Sequence, residues 1–256
     1  MPTAVKHQRE LGDDVQVIFV ECQGAERDTY EAFAWRMKWM GNAAMWTHER
    51  PMEMPGSGLP QTALIGVDGT VILQGNPGAL GKRLSEALEA EIKKSKQPPA
   101  DAPAELKKAW TMFLKGDVAG ALAECDASTA PAAADTRTEF LARTTARIER
   151  VKRLLDAGDF GLAERQTAEI EKAVKSNAEL AAQIAEQRAR LNDPANARER
   201  EAAKAFDALV DKIATEKPFD AGNVKKMSAL AEKFSGAKAA EKAARFVELS
   251  KLRAGA

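Results

Sequence analysis

Gly58-Leu59-Pro60-Gln61-Thr62-Ala63-Leu64-Ile65-Gly66-Val67-Asp68-Gly69-Thr70-Val71-Ile72-Leu73 decides how the first part of this chain folds. It predicts a strand entered by a proline, a two-residue turn at Asp68-Gly69, and a second strand. A proline at the mouth of a strand gives up its backbone donor before the ladder begins. Asp-Gly between two apolar runs is the strongest short-range hairpin signal, because the favoured turn needs positive φ at both central residues. Gly75-Asn76-Pro77-Gly78 then leads into a helix predicted from about Ala79 to Lys94.

Upstream of the hairpin, Val15-Gln16-Val17-Ile18-Phe19-Val20 is mostly β-branched and apolar, the pattern of a buried parallel strand. Ala4 to Leu11 reads as a helix end closed by Gly12. A helix is predicted from Glu26 to Met40, with Tyr30, Phe33, Met37 and Met40 as its apolar stripe. Trp35 and Trp39 form a second i, i+4 pair beside it. A short strand is expected at Met45-Trp46-Thr47. The order helix, strand, helix, strand, strand, helix points to an α/β unit with mixed strand directions.

Lys94 to Ala104, with three prolines, has the composition of a linker. Beyond it the chain is rich in helix-forming residues. Helices are predicted at Glu105–Lys115, Val118–Cys125, Thr136–Ala157, Phe160–Lys175, Ala178–Leu191, Ala195–Thr215, Ala221–Phe234 and Lys238–Arg253. On the long one, Phe140, Thr144, Ile148, Val151 and Leu155 share a face. Gly116-Asp117-Val118 with Ala121 and Gly158-Asp159-Phe160 with Ala163 are similar junctions. Each reads as a helix end at glycine, an Asp N-cap and a small residue at the contact. They resemble the turn of a tetratricopeptide-type hairpin, but the glycines are 42 positions apart where that repeat is about 34. Packed helical hairpins are the description the spacing supports.

Composition narrows the function. The 256 residues carry 38 basic and 38 acidic side chains. Residues 1–100 hold 11 Lys/Arg against 13 Asp/Glu and the rest 27 against 25, so neither part has the basic excess of a nucleic-acid binder. No stretch approaches the roughly 18 consecutive apolar residues of a membrane span, and residues 1–11 show no signal-peptide core. Cys22 and Cys125 lie 103 positions apart, with neither C-x-x-C nor metal-ligand spacing, and read as structural thiols.

Residues 1–94 resemble the TlpA/ResA-type thiol–disulfide oxidoreductases of the thioredoxin-like superfamily. Met1-Pro2 matches the Met-Pro of that family's first helix, Val15 to Val20 the strand after it, Gly58-Leu59-Pro60 the cis-proline loop and Asp68-Gly69 the hairpin turn. In that family a C-x-x-C lies just before the Met-Pro, and this sequence does not contain it. The resemblance therefore implies an N-terminally truncated domain whose central strand and redox pair are missing. It places that strand between Val15–Val20 and Thr62–Val67, leaving the former without a neighbour. Unpaired buried backbone groups cost about 1–3 kcal/mol each. That makes Met1 an internal methionine of a longer protein, whose upstream frame would encode a strand, C-x-x-C and an export signal. The fold class expected is thus α+β/α: an incomplete thioredoxin-like α/β domain (1–94), a linker (95–104) and an all-α helical-hairpin domain (105–256).

The resemblance assigns Leu59, Pro60 and Gln61 to a loop that holds substrate backbone, with Pro60 cis. Cys22 is the one thiol in that part, and Glu21 beside it disfavours a reactive thiolate. His7 and His48 read as surface residues, although His48-Glu49 has the residue types of acid–base chemistry. Catalytic residues, metal ligands and cofactors are expected to be none. Two functions follow: a redox-family protein that, as given, cannot exchange disulfides, or a non-enzymatic interaction scaffold. The partner is a protein or a protein thiol in either case. The resemblance implies a periplasmic or membrane-anchored full-length form, whereas the sequence leaves the compartment open.

Overall fold

The computed structural model describes residues 11, 14–39, 44–47, 49, 52–55 and 58–252. The predicted helix at Ala4–Leu11 lies almost wholly outside them, as do Met1-Pro2 and Met40. The described chain is α-rich, with two small sheets of two strands each.

The first sheet pairs β1 (Phe19–Glu21) with β2 (Ala44–Trp46) in parallel, Phe19 opposite Ala44 and Glu21 opposite Trp46. Helix α1 (Arg27–Arg36) makes the crossover between them. Tyr30 fastens the unit: its hydroxyl donates to the Phe19 carbonyl at 2.7 Å. The Trp46 indole N–H donates to the Ala25 carbonyl at 2.9 Å. The Phe19 and Trp39 rings stack with centroids 4.1 Å apart.

Three sequence expectations change here. The strand is Phe19–Glu21, not Val15–Val20, and Ile18 is 54% exposed. It does have a neighbour, because β2 supplies one edge of its ladder. The buried side of α1 is not the Tyr30, Phe33, Met37 stripe: Phe33 and Met37 are exposed, while Tyr30, Ala32, Ala34 and Trp35 are buried. The helix buries two faces. Tyr30, Ala34 and the following Trp39 join Phe19, whereas Ala32 and Trp35 join the core of the helical part. Small alanines let both approaches be close.

The second sheet is the predicted hairpin, β3 (Thr62–Ile65) antiparallel to β4 (Val71–Gly75). Its turn differs from the expected one. The Gly69 N–H bonds the Gly66 carbonyl at 3.0 Å, so Val67 and Asp68 are the central residues. Only Gly69 takes positive φ (+80°), the arrangement of a type I turn followed by a left-handed glycine. A register shift falls between Leu64 and Ile65. Asp68 is held by its side chain instead, accepting from the Thr70 N–H at 3.0 Å and the Thr70 hydroxyl at 2.6 Å.

Helix α2 (Pro77–Ser95) closes the hairpin. It starts two residues earlier than predicted, with Asn76 as N-cap and Pro77 at the first helical position. Gly81 breaks its regularity at φ +47°, ψ −125°.

After Ser95 the chain is helical: a 3-10 turn at Ala104–Leu106, then α3 (Lys107–Leu114), α4 (Val118–Ala127), α5 (Ala133–Asp156), α6 (Phe160–Val174), α7 (Ala178–Asn192), α8 (Ala197–Ile213), α9 (Ala221–Lys233) and α10 (Lys238–Ser250). Neighbours in sequence from α3 to α7 pack on one another, and α8, α9 and α10 form a closing trio. The predicted α5 face is buried throughout. Phe140 stacks on Phe113 at 4.2 Å and meets Trp110 edge-on at 4.8 Å. Gly116 (φ +85°) and Gly158 (φ +76°) end their helices as read, and Ala121 and Ala163 are fully buried at the contacts. Asp117 caps through Gly120 N–H at 2.9 Å. Asp159 does not cap; its carboxylate takes the Lys242 ammonium of α10 at 2.5 Å.

Candidate functional site

The loop at residues 58–61 stands at the head of β3, and the Leu59–Pro60 peptide is cis. Leu59 is 52% exposed, Gly58 is exposed, and Pro60 is half-buried. The Gln61 amide donates to the Gly58 carbonyl at 2.5 Å, which closes the loop on itself. Its Oε1 is buried and has no partner among the described residues.

Neighbouring elements hold this loop. Asn76 uses both ends of its amide: Oδ1 accepts the Gly78 N–H at 2.9 Å, and Nδ2 donates to the Pro60 carbonyl at 3.3 Å. One residue thus caps α2 and fixes the cis-proline loop. Gln74 of β4 donates to the Glu53 carbonyl at 3.1 Å, which ties the preceding segment to the sheet. The sequence did carry a sign of Asn76's role, since Asn-Pro is an N-cap followed by an N1 proline.

The far end of the hairpin is clamped as well. Glu91 accepts the Val67 N–H at 3.0 Å, and Lys94 reaches Asp68 at 3.2 Å. The Thr70 hydrogen bonds, with Lys94 adding to them, hold the Asp68 carboxyl well below the usual carboxylate range. Gly66 allows the Glu91 contact: a Cβ there would lie 2.8 Å from Glu91 Oε2.

Cys22 is a free, half-buried thiol just after β1, and Cys125 is a free, buried thiol on α4. Burial, and then the adjacent Asp126, push the Cys125 thiol up from its ordinary value. His7 and His48 lie outside the described residues. Trp35 and Trp39 are packing residues, 6% exposed each. Among the described residues no group of three or more His, Cys, Asp and Glu could hold a metal ion. No described helix is long and apolar enough to cross a membrane.

No protein-family model, curated protein or solved structure matches this chain. The site must therefore be read from its own geometry.

That geometry is uneven across the molecule. Among the described residues, large exposed apolar side chains gather in the α/β part: Ile18, Phe33, Met45, Ile65, Val67 and Val71 are all more than 40% exposed. Buried side-chain polar atoms without a partner, Trp39 Nε1 and Gln61 Oε1, are there too. The helical part is closed by comparison. Its cavity of about 230 Å³ is lined by Leu155, Asp156, Phe160, Arg190, Glu199 and Lys238, and the polar groups of the lining are engaged within it. Arg190 pairs with Asp156 at 2.6 Å, and Glu199 accepts the Lys238 N–H at 3.1 Å. That cavity is a structural knot between the start of α10 and the turn after α5.

Proposed function

We propose that this chain is a thioredoxin-like protein that performs no thiol–disulfide exchange with its own cysteines, and that its α/β part is a platform for an extended polypeptide. One observation carries the reading: among the described residues the β1–β2 pair and the β3–β4 hairpin form two separate two-stranded sheets, so no described strand pairs with the second edge of β1 or of β3. The resemblance places a central strand between those two elements. Exposed apolar side chains beside both sheets support the same reading, because covering them is favourable at about 25 cal/mol per Å².

Leu59, Pro60 and Gln61 take the role that the resemblance assigns to them, which is to hold the backbone of the partner. Asn76 keeps the Pro60 carbonyl in place. An unpaired sheet edge recognises an extended chain through its backbone groups, with alternate side chains giving specificity.

Exchange needs an attacking and a resolving thiol, with a mixed disulfide between. Cys22 has no thiol neighbour in its part of the molecule, and Cys125 is buried on α4. Cys22 alone cannot play both parts. The test is insulin reduction by the 256-residue chain with dithiothreitol. Precipitation should begin no earlier than with the reductant alone. Acceleration that disappears in Cys22→Ser would refute the reading.

A further inference from the structure

We propose that Arg245 is an ionic latch that docks α1, and with it the α/β part, on the last helical hairpin, and that reversing its charge frees the α/β part on the linker after Ser95.

Among the described residues, helix α1 of the α/β part packs on α10 of the helical array. The centre of the contact is apolar. Trp35 meets Phe246 edge-on at 4.8 Å, and Phe246 in turn lies 5.0 Å from Phe219. Trp35 is 6% exposed, Ala32 1%, and Phe246 fully buried.

Charges surround that seat. The Arg245 guanidinium donates through Nε to Glu31 Oε2 at 2.8 Å and through Nη2 to Asp28 Oδ1 at 2.5 Å. Asp28 and Glu31 are one helical turn apart, which is the spacing a guanidinium fork can span. Arg27 holds the other Glu31 oxygen at 2.6 Å. Both carboxylates raise the Arg245 affinity for its proton, the Asp28 bond most. Arg36 adds a second tie, donating to the Leu252 carbonyl at 2.8 Å with its guanidinium 5.4 Å over the Phe219 ring.

The partners are more than 200 positions apart in sequence. Between them runs a proline-containing connector whose Ala102 packs on the helical core and whose Lys96 pairs with Asp14 at 2.6 Å. The connector sets the reach of the α/β part, and the α1–α10 contact adds orientation to it. Trp35 supplies much of the attraction, and the Arg245 fork, with the Arg36 tie beside it, fixes the direction. Reversing the fork's charge sets it against Asp28 and Glu31 at hydrogen-bonding distance. Release would expose the Ala32–Trp35 face of α1.

The experiment uses the full chain, with small-angle X-ray scattering for size and amide hydrogen exchange for local order. Arg245→Glu should enlarge the radius of gyration and speed exchange in Arg27–Arg36 several-fold, with α3 to α9 unchanged. The charge swap R245E/D28K/E31K should return both to wild-type values. Unchanged dimensions in Arg245→Glu would overturn the latch. So would expansion that the swap does not reverse, because that marks unfolding and not release.

Discussion

Asn76 and Pro60 are joined by a hydrogen bond from the Asn76 amide to the Pro60 carbonyl, 3.3 Å long, although 16 positions separate them. The same side chain caps α2 through the Gly78 N–H. Loop position and helix start are therefore coupled. Asn76→Ala should lose about 1 kcal/mol of stability, the usual effect of removing an N-cap. Asn76→Asp keeps an acceptor for the Gly78 N–H, loses the donation to Pro60 and sets a carboxylate oxygen against the Pro60 carbonyl. Urea unfolding should rank wild type above Asn76→Ala. Asn76→Ala as stable as wild type would show that the cap contributes nothing.

Gly116 and Gly158 occupy equivalent junctions but differ in their surroundings. Both have positive φ, so an alanine is strained by about 1–2 kcal/mol at either. A Cβ at Gly116 meets nothing within 4 Å, whereas one at Gly158 would lie 2.8 Å from Lys238 Cβ. Gly158→Ala should therefore destabilise more than Gly116→Ala, by a further margin that shows in the thermal midpoint. Identical midpoints would mean that α10 yields freely at its first turn.

Acid should act through Glu171. Arg188 grips this carboxylate with two bonds, at 2.9 and 2.7 Å, and those bonds hold its pKa below the ordinary 4.5. A lowered native pKa gives stability that is present above the unfolded value and is lost as pH falls through the native one. The advantage of wild type over Glu171→Gln should thus be constant near neutrality and shrink below pH 4.5. Urea midpoints across that range check it. Parallel pH curves for the two proteins would contradict it.

The two thiols should be chemically distinct. Cys125 is 3% exposed and its pKa is pushed up by burial, while Cys22 is half-buried. In native protein at pH 8, a thiol reagent should modify Cys22 first and reach Cys125 only on unfolding, as peptide mapping would show. Faster labelling of Cys125 would place α4 in a more open setting than its packing gives.

The helical part was largely legible in the sequence. Glycines at 116 and 158, Asp117, Asp193-Pro194 and Asp220 mark its breaks, and local chemistry sets them. The hairpin is legible in place but not in turn type, because Asp-Gly suits both a two-residue turn with positive φ at each position and a longer turn centred one residue earlier in which the glycine alone takes it. The apolar run from Val15 predicts a strand that begins before the pairing does, because nothing local shows that Phe19 to Glu21 are the residues that meet β2. The docking of α1 on α10 left no trace in the sequence. Its stripe looked like Tyr30, Phe33 and Met37, and only a partner more than 200 residues away makes Trp35 and Ala32 buried instead. The Leu59–Pro60 peptide is cis, as the resemblance implies, whereas the Gln74 tether to Glu53 depends on a chain path that no local pattern encodes.

Cross-strand nuclear Overhauser effects in the isotopically labelled 256-residue chain test the separation of the two sheets most directly. The account predicts parallel contacts of Phe19 with Ala44 and of Glu21 with Trp46, antiparallel contacts of Thr62 with Gly75 and of Leu64 with Leu73, and fast amide exchange along the outer edges of β1 and β3. Contacts that join β1 directly to β3 in one continuous, protected sheet would contradict it.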